Sequence, residues 1–381
     1  MPMPSSPQTL AGLRVVEAGT FIAAPLSAAL LADAGAEVIK VEPPGGDPGR
    51  LIGPGSERRL ASTFLASNRG KRSIVLDLRA EADLATMHQL IARADVFVHN
   101  LPTRAAARAG LDAASLPEGV ISCRVSAFGD TGPLAGRSGL DPIVQAMAGI
   151  SSVTGTDGEP PLRTPVPVVD IATALSAYGQ IVEQLLRRER GLAPEPIELA
   201  LYDVGLLLTS PLQALTSITG APPPRRGNAS YAILGDQFAT ADGFVTLVLW
   251  DDARWRALCE LLGNPGLAQD ARFASNELRL ERHDDLRPML AALIRPWSSA
   301  TLEQALLQAG IPCGITQALD EIALHPAAQR LQYSEEGVEG PAPRLTEPPW
   351  LLGGRRARSP LPPPALGAHD TEIRAELSAA D

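Results

Sequence analysis

Leu13-Arg14-Val15-Val16-Glu17-Ala18 is a short apolar run ending at Gly19, and Glu37-Val38-Ile39-Lys40-Val41-Glu42 reads as a strand, closed by Pro43-Pro44-Gly45-Gly46. Between them, Pro25 to Ala32 reads as a helix. The alternation continues outward: Ser73 to Leu78 as a strand, Glu81 to Ala94 as a helix, then Asp95 to His99 and Gly119 to Val125 as strands. Strands separated by helices of this length predict an α/β fold with a parallel sheet covered on both faces. Right-handed crossovers make it a Rossmann-like layered domain.

Downstream, Ile171, Leu175, Ile181 and Leu185 recur at helical spacing from Asp170 to Arg190, a segment with basic residues at its end and Gly191 just after it. Val204 to Pro224, the longest uncharged stretch, contains Pro211 and polar residues; it reads as a buried helix with a proline stop rather than a membrane span. Gly220 to Gly227 reads as an interdomain linker. Beyond it come a strand over Phe244–Leu249, a helix over Trp255–Leu262 and further amphipathic helices to about Ala327. A Pro- and Gly-rich stretch from Gly340 to Gly367 precedes a short helix from Thr371.

At 381 residues the chain exceeds one typical core, so two domains are expected. Aromatic residues make up only 4% of it, which leaves Ala, Leu, Val and Ile to build the interior. A net charge of -10 argues against nucleic acid as a partner. The cysteines, Cys123, Cys259 and Cys313, are odd in number and far apart, which suits a reducing cytoplasm better than a disulfide framework. Met1 to Pro7 has neither the basic start nor the apolar core of a signal peptide.

Several chemistries are disfavoured. The first βα turn, Ala18-Gly19-Thr20-Phe21-Ile22-Ala23-Ala24, has one glycine where a dinucleotide-binding turn needs three. The histidines show no metal spacing, so no metal is expected, and no GxSxG elbow occurs. Asn68-Arg69-Gly70-Lys71-Arg72-Ser73 concentrates cations at a strand entrance, with Arg79 beyond that strand and Arg104 and Arg108 after a later one. These read either as solvated charges or as a site for a ligand with several phosphates. Thr164-Pro165-Val166-Pro167-Val168-Val169-Asp170 leads into the long helix. A carboxylate at that seam is either a capping group or a covalent nucleophile, and the residues by themselves favour the cap.

Taken together, these segments resemble the family III CoA-transferases (CaiB/BaiF family), the group of formyl-CoA and carnitine CoA-transferases. Carrying the resemblance are Leu10 to Glu17, Ala32-Asp33-Ala34-Gly35-Ala36-Glu37 to Pro43, Asn68 to Ser73, Phe128-Gly129-Asp130-Thr131-Gly132-Pro133, Arg137-Ser138-Gly139-Leu140-Asp141, Ala241-Asp242-Gly243-Phe244 and Ala309 to Gly314. The resemblance implies that Asp170 is the nucleophile, attacking an acyl-CoA thioester and passing through an aspartyl anhydride and an aspartyl-CoA thioester to a carboxylic acid acceptor. An aspartate with a free pKa near ~3.9 would be ionised for this without a general base. The Ala127–Gly132 and Gly227–Gly235 loops are candidates to stabilise the thioester oxyanion.

By the same resemblance CoA, a substrate rather than a tightly bound cofactor, would contact Ile22, Ala23, Leu76, Arg79, Asn100, Arg104 and Arg108, with Arg79 and Arg108 on its phosphates. The implied assembly is an intertwined homodimer. Each chain would have a large domain over residues 1–220, completed by residues 331–381, and a smaller α+β domain over residues 221–330. Racemases of the family use a histidine just before the aspartate of a Gly-His-Asp segment, where this chain has Leu140; leucine cannot move a proton. A 2-methylacyl-CoA racemase, or a non-catalytic acyl-CoA-binding homologue, are the alternatives to a transferase.

Overall fold

The computed structural model describes residues 8–55, 60–335 and 342–379, so Met1–Pro7 and the first two residues of the Gly340–Gly367 stretch lie outside it. In chain order the elements are β1 (Arg14–Ala18), α1 (Ala23–Asp33), β2 (Glu37–Glu42), α2 (Ser62–Ser67), β3 (Lys71–Val75), α3 (Glu81–Ala92), β4 (Val96–His99) and α4 (Thr103–Arg108). Next come β5 (Ile121–Ser126), α5 (Asp141–Met147), α6 (Val168–Glu189), β6 (Ile197–Ala200) and α7 (Leu201–Thr219). They are followed by β7 (Leu234–Ala239), β8 (Phe244–Leu249), α8 (Asp252–Leu261), α9 (Gly266–Gln269), α10 (Asn276–Glu281), α11 (His283–Ile294), α12 (Ser299–Gln308) and β9 (Cys313–Ile315). The last are α13 (Leu319–Leu324), α14 (Pro326–Gln329), β10 (Gln332–Ser334), β11 (Arg344–Thr346) and α15 (Asp370–Ser378).

Two compact units emerge. Of the described residues, the first takes those within 8–150, 163–210 and 325–379, the second residues 151–162 and 211–324. In the first, β1 to β6 form one sheet of order β3-β2-β1-β4-β5-β6, parallel throughout. Alternation along the strands decides which face each residue covers. Val15, Val38, Val96, Val98 and Cys123 pack with α1 and α6, whereas Val16, Ile39, Ile74 and Phe97 pack with α3 and α15. A strand buried on both faces has no polar side to give, which is why β4 opens on the apolar run Val96-Phe97-Val98, whereas the charges that β1 and β2 bury, Glu17, Lys40 and Glu42, are paired inside. The C-terminal segment closes the edge beyond β3: Asp370 accepts the Val75 amide (2.8 Å), and Arg72 pairs with Glu376 (2.6 Å).

The expected phosphate-binding cations are committed elsewhere. Arg69 bonds Asp33, Arg72 bonds Glu37 and Glu376, and Lys71 is fully buried against Glu17 (3.0 Å), Pro25 O and Asn68. Lys40 lies beside it on Glu17 (3.2 Å) and Asp47 (3.0 Å). Burial works against a charge on Lys40, but Glu17, Asp47 and Glu42 outweigh it and raise its pKa. Cations buried this deeply need carboxylates as neighbours, so none of those between Asn68 and Ser73 is left for a ligand.

The second unit has an antiparallel sheet of order β7-β8-β9, packed by helices around Trp255, Phe273, Leu286 and Leu302. The proline-rich Gly220–Gly227 stretch, expected as a linker, is held down: Gly227 N donates to Gly155 O (2.8 Å) and Arg225 N to Asp157 (3.1 Å). Helix α7 also differs from expectation. It runs through Pro211 to Thr219, and in the single chain Leu207 (67%) and Ile218 (84%) are exposed rather than buried. No helix among the described residues is long and apolar enough to cross a membrane.

Candidate active site

The strand order turns back on itself between β1 and β4, so their connections leave in opposite directions and open a crevice at the C-terminal ends of the strands. A cavity of about 750 Å³ opens in the first unit, lined by residues that follow β1 (Thr20, Phe21), β4 (Asn100 to Arg104) and β5 (Ala127, Gly129), and by Asp170 near the start of α6.

The loop after β1 is fixed from two sides. Phe21 adopts a left-handed backbone (φ 66°), a conformation a bulky side chain avoids unless its surroundings impose it. Asp47 imposes it here by accepting the Phe21 amide (3.1 Å), while Thr20 is clamped by Asn100. The loop after β5 is pinned by Arg124, whose guanidinium grips Asp130 in a fork (2.5 and 2.8 Å) and reaches Thr103 Oγ1 (2.6 Å). Gly139 is required at the lining, because a Cβ there would stand 2.8 Å from the Phe128 ring. Arg137 lies 5.3 Å from the centre of that ring. Neither Arg104 nor Arg137 has a carboxylate partner among the described residues, so both present charge to the cavity.

Asp170 is the third residue of α6, whose own start, at Pro167, supplies no side-chain cap. The cap comes from another helix. Asp141, the first residue of α5 and buried, accepts the amides of Val169 (2.9 Å) and Asp170 (3.1 Å) through Oδ2. Asp170 is therefore not the capping group that its position suggested, and its carboxylate accepts no hydrogen bond among the described residues. Burial, and then the Asp141 charge, push its pKa up to about 7. An Asp170 ready-ionised at neutral pH was expected; burial and the Asp141 charge instead hold its carboxyl well above the usual carboxylate range.

Of the residues expected around CoA, the cavity brings together Ala23, Asn100 and Arg104 with Asp170. Ile22, Leu76, Arg79 and Arg108 are not among its lining residues. Leu76 is sealed in the sheet core (1% exposed), Arg79 points outward and pairs with Asp77 (2.8 Å), and Arg108 donates to Arg104 O at the end of α4. Of the proposed oxyanion loops, Ala127, Gly129 and Asp130 line the cavity, with the Gly129 amide held by Ser126 Oγ, and Gly227–Gly235 belongs to the second unit. Sequence reasoning did not single out Phe21, Arg124 or Asp141. Asp141 before Pro142 is a visible helix start, but nothing in the order of residues says that it caps a different helix. Among the described residues no group of three or more His, Cys, Asp and Glu side chains could hold a metal ion.

A family model for CoA-transferase family III matches residues 10–370. The chain is 34% identical over 389 residues to succinate–glutarate CoA-transferase of Agrobacterium fabrum, covering 98% of this chain and 97% of that one. It is 32% identical over 387 residues to succinyl-CoA–D-citramalate CoA-transferase of Chloroflexus aurantiacus, covering 97% and 94%. The crystal structure of a CaiB/BaiF family protein from Brucella suis superposes with a TM-score of 0.86 at 32% identity, covering 97% of this chain and 99% of that one. With a family model spanning nearly its whole length and relatives matched end to end, the chain belongs to CoA-transferase family III and is an enzyme of that family.

Proposed function

We propose that the protein moves CoA from an acyl-CoA donor to a carboxylic acid acceptor with Asp170 as the covalent nucleophile. The observation that carries this is the Asp170 carboxylate itself: it lines the cavity without a hydrogen bond among the described residues, at a helix start where Asp141 already takes the Val169 and Asp170 amides. Desolvation and the neighbouring negative charge make it more basic than a free carboxylate, hence a better nucleophile once ionised.

The Asp170 oxygen attacks the thioester carbonyl, the C–S bond breaks, and CoA leaves as thiolate from a mixed anhydride. The thiolate returns to the aspartyl carbonyl and expels the donor acid, leaving an aspartyl-CoA thioester. The acceptor carboxylate attacks that carbonyl, again releasing thiolate and forming a second anhydride. Attack of the thiolate on the acceptor carbonyl gives the new acyl-CoA and restores Asp170. Arg104 and Arg137, both without carboxylate partners among the described residues, suit the phosphates of CoA or the second carboxylate of a dicarboxylic acid. The acids named for the relatives make succinyl-CoA and glutarate the first pair to test.

The active form proposed is an intertwined homodimer in the cytoplasm. Exposed Leu207 and Ile218 on α7, which a monomer would leave wet, and three cysteines with no disulfide fit that picture. A racemase is disfavoured because Leu140, which lines the cavity just before Asp141, carries no proton to exchange.

Incubation with succinyl-CoA and hydroxylamine, followed by peptide mass spectrometry, tests the mechanism. A hydroxamate on the Asp170 peptide, absent without the thioester, is the expected result. No adduct there while transfer proceeds would rule out the covalent route.

A further inference from the structure

We propose that Asp141 is a positioning residue for the nucleophile: by occupying the two amides at the start of α6 it keeps the Asp170 carboxylate free in the cavity, with a second negative charge beside it. The inference rests on Asp170 being the nucleophile and assigns the device that makes it one.

The geometry starts from a shortage. The first turn of a helix leaves amide N–H groups without partners, and an acidic side chain in that turn is well placed to take them. Helix α6 has no cap of its own, and Asp170 sits in that turn. Left alone, its carboxylate would settle on those amides and be spent as a cap. Asp141 takes the place instead. Its Oδ1 accepts Gln145 Nε2 (2.5 Å) while Oδ2 accepts the Val169 and Asp170 amides, so three donors converge on one buried carboxylate.

Gln145 extends the hold to the strap that leads into α6. Fully buried, it accepts the Thr164 amide (3.0 Å) and donates to Thr164 O (3.2 Å). The strap, the cap and the first turn of α6 are thus tied through one Asp–Gln pair on α5.

The charged residues on the elements packed around α6 are few. Asp33 on α1 is bonded to Arg69, Arg124 on β5 to Asp130, and Glu198 on β6 is exposed. Arg104 and Arg137 face the shared cavity. Besides burial, Asp141 on α5 is what raises the Asp170 pKa. A carboxylate without hydrogen bonds and next to a like charge is a strong oxygen nucleophile; the same group capped by two amides would be a weak one.

Carbodiimide coupling to glycine methyl ester tests this without turnover, since it labels protonated carboxyls and the Asp170 peptide is read by mass spectrometry. In Asp141→Asn the amide oxygen still accepts from the helix but the charge is gone. The pH midpoint of labelling at Asp170 should fall by about one unit or more relative to the unmodified enzyme. With succinyl-CoA and glutarate, kcat should drop while KM for the thioester stays put. If Asp141→Asn does not fold, Asp141→Ser, which also caps helices, carries the same comparison. A shifted midpoint supports the role of Asp141 whether or not transfer is detected. An unmoved midpoint overturns it, even in a fully active transferase.

Discussion

Asn100 and Thr20 hold each other reciprocally across the cavity wall: Asn100 Nδ2 donates to Thr20 O (3.0 Å), and Thr20 N donates to Asn100 Oδ1 (3.1 Å). The pair ties the end of β4 to the loop after β1, the two strands at which the sheet order reverses. Asn100→Ala leaves both backbone groups of Thr20 without that partner, at a cost of about 1–3 kcal/mol. We expect a lower Tm and CoA binding weakened ~10-fold, measured by calorimetry with free CoA. A lower Tm with unchanged CoA affinity would reduce the pair to a structural tie.

Arg104 offers a different contrast. It lines the cavity with no carboxylate partner among the described residues, whereas Arg79 points to solvent and pairs with Asp77. A charge-assisted bond to phosphate contributes about 1.5–3 kcal/mol, so Arg104→Ala should raise the Kd for CoA ~10- to 100-fold. Arg79→Ala should raise it less than ~3-fold, since an exposed pair contributes little. Equal losses from both variants would move the phosphates out of the cavity.

The stability of the protein should report the state of Asp170. Its carboxyl, raised to about 7 first by burial and then by Asp141, keeps its proton in the folded chain where the unfolded chain has lost it. The stabilisation from that bound proton is complete below the unfolded value near ~4 and disappears as pH climbs through about 7. Asp170→Asn removes the buried charge. Urea unfolding should find it about 1–3 kcal/mol more stable than the unmodified protein at pH 8, with the gap closing towards pH 4. A variant less stable at pH 8 would mean that Asp170 is a structural group after all.

Much of the layered sheet could be read in the chain because a doubly covered strand shows itself as an unbroken apolar run, as at Val15-Val16 and Val96-Phe97-Val98. Strand β8 matches its expected bounds, Phe244 to Leu249, for the related reason that it alternates between core and solvent. Helix α7 was misread because Leu207 and Ile218 are as apolar as core residues, and composition does not say which apolar face meets its own core. The cations between Asn68 and Ser73 looked free for the same kind of reason: Glu17, Asp33 and Glu37, which neutralise them, lie more than thirty residues earlier. Asp170 was legible as a residue of interest, but the carboxylate that frees it, Asp141, is joined to it only by the fold.

Lys40 and Lys71 are the two lysines of the whole sequence, and both have 0% exposure, bound to Glu17 inside the first unit. The folded protein thus offers solvent no ε-amine at all. Thioesters of CoA acylate free amines spontaneously, and those of short dicarboxylic acids can cyclise to anhydrides that do so faster. With both lysine side chains sequestered, the folded protein presents no ε-amine for such reagents to decorate.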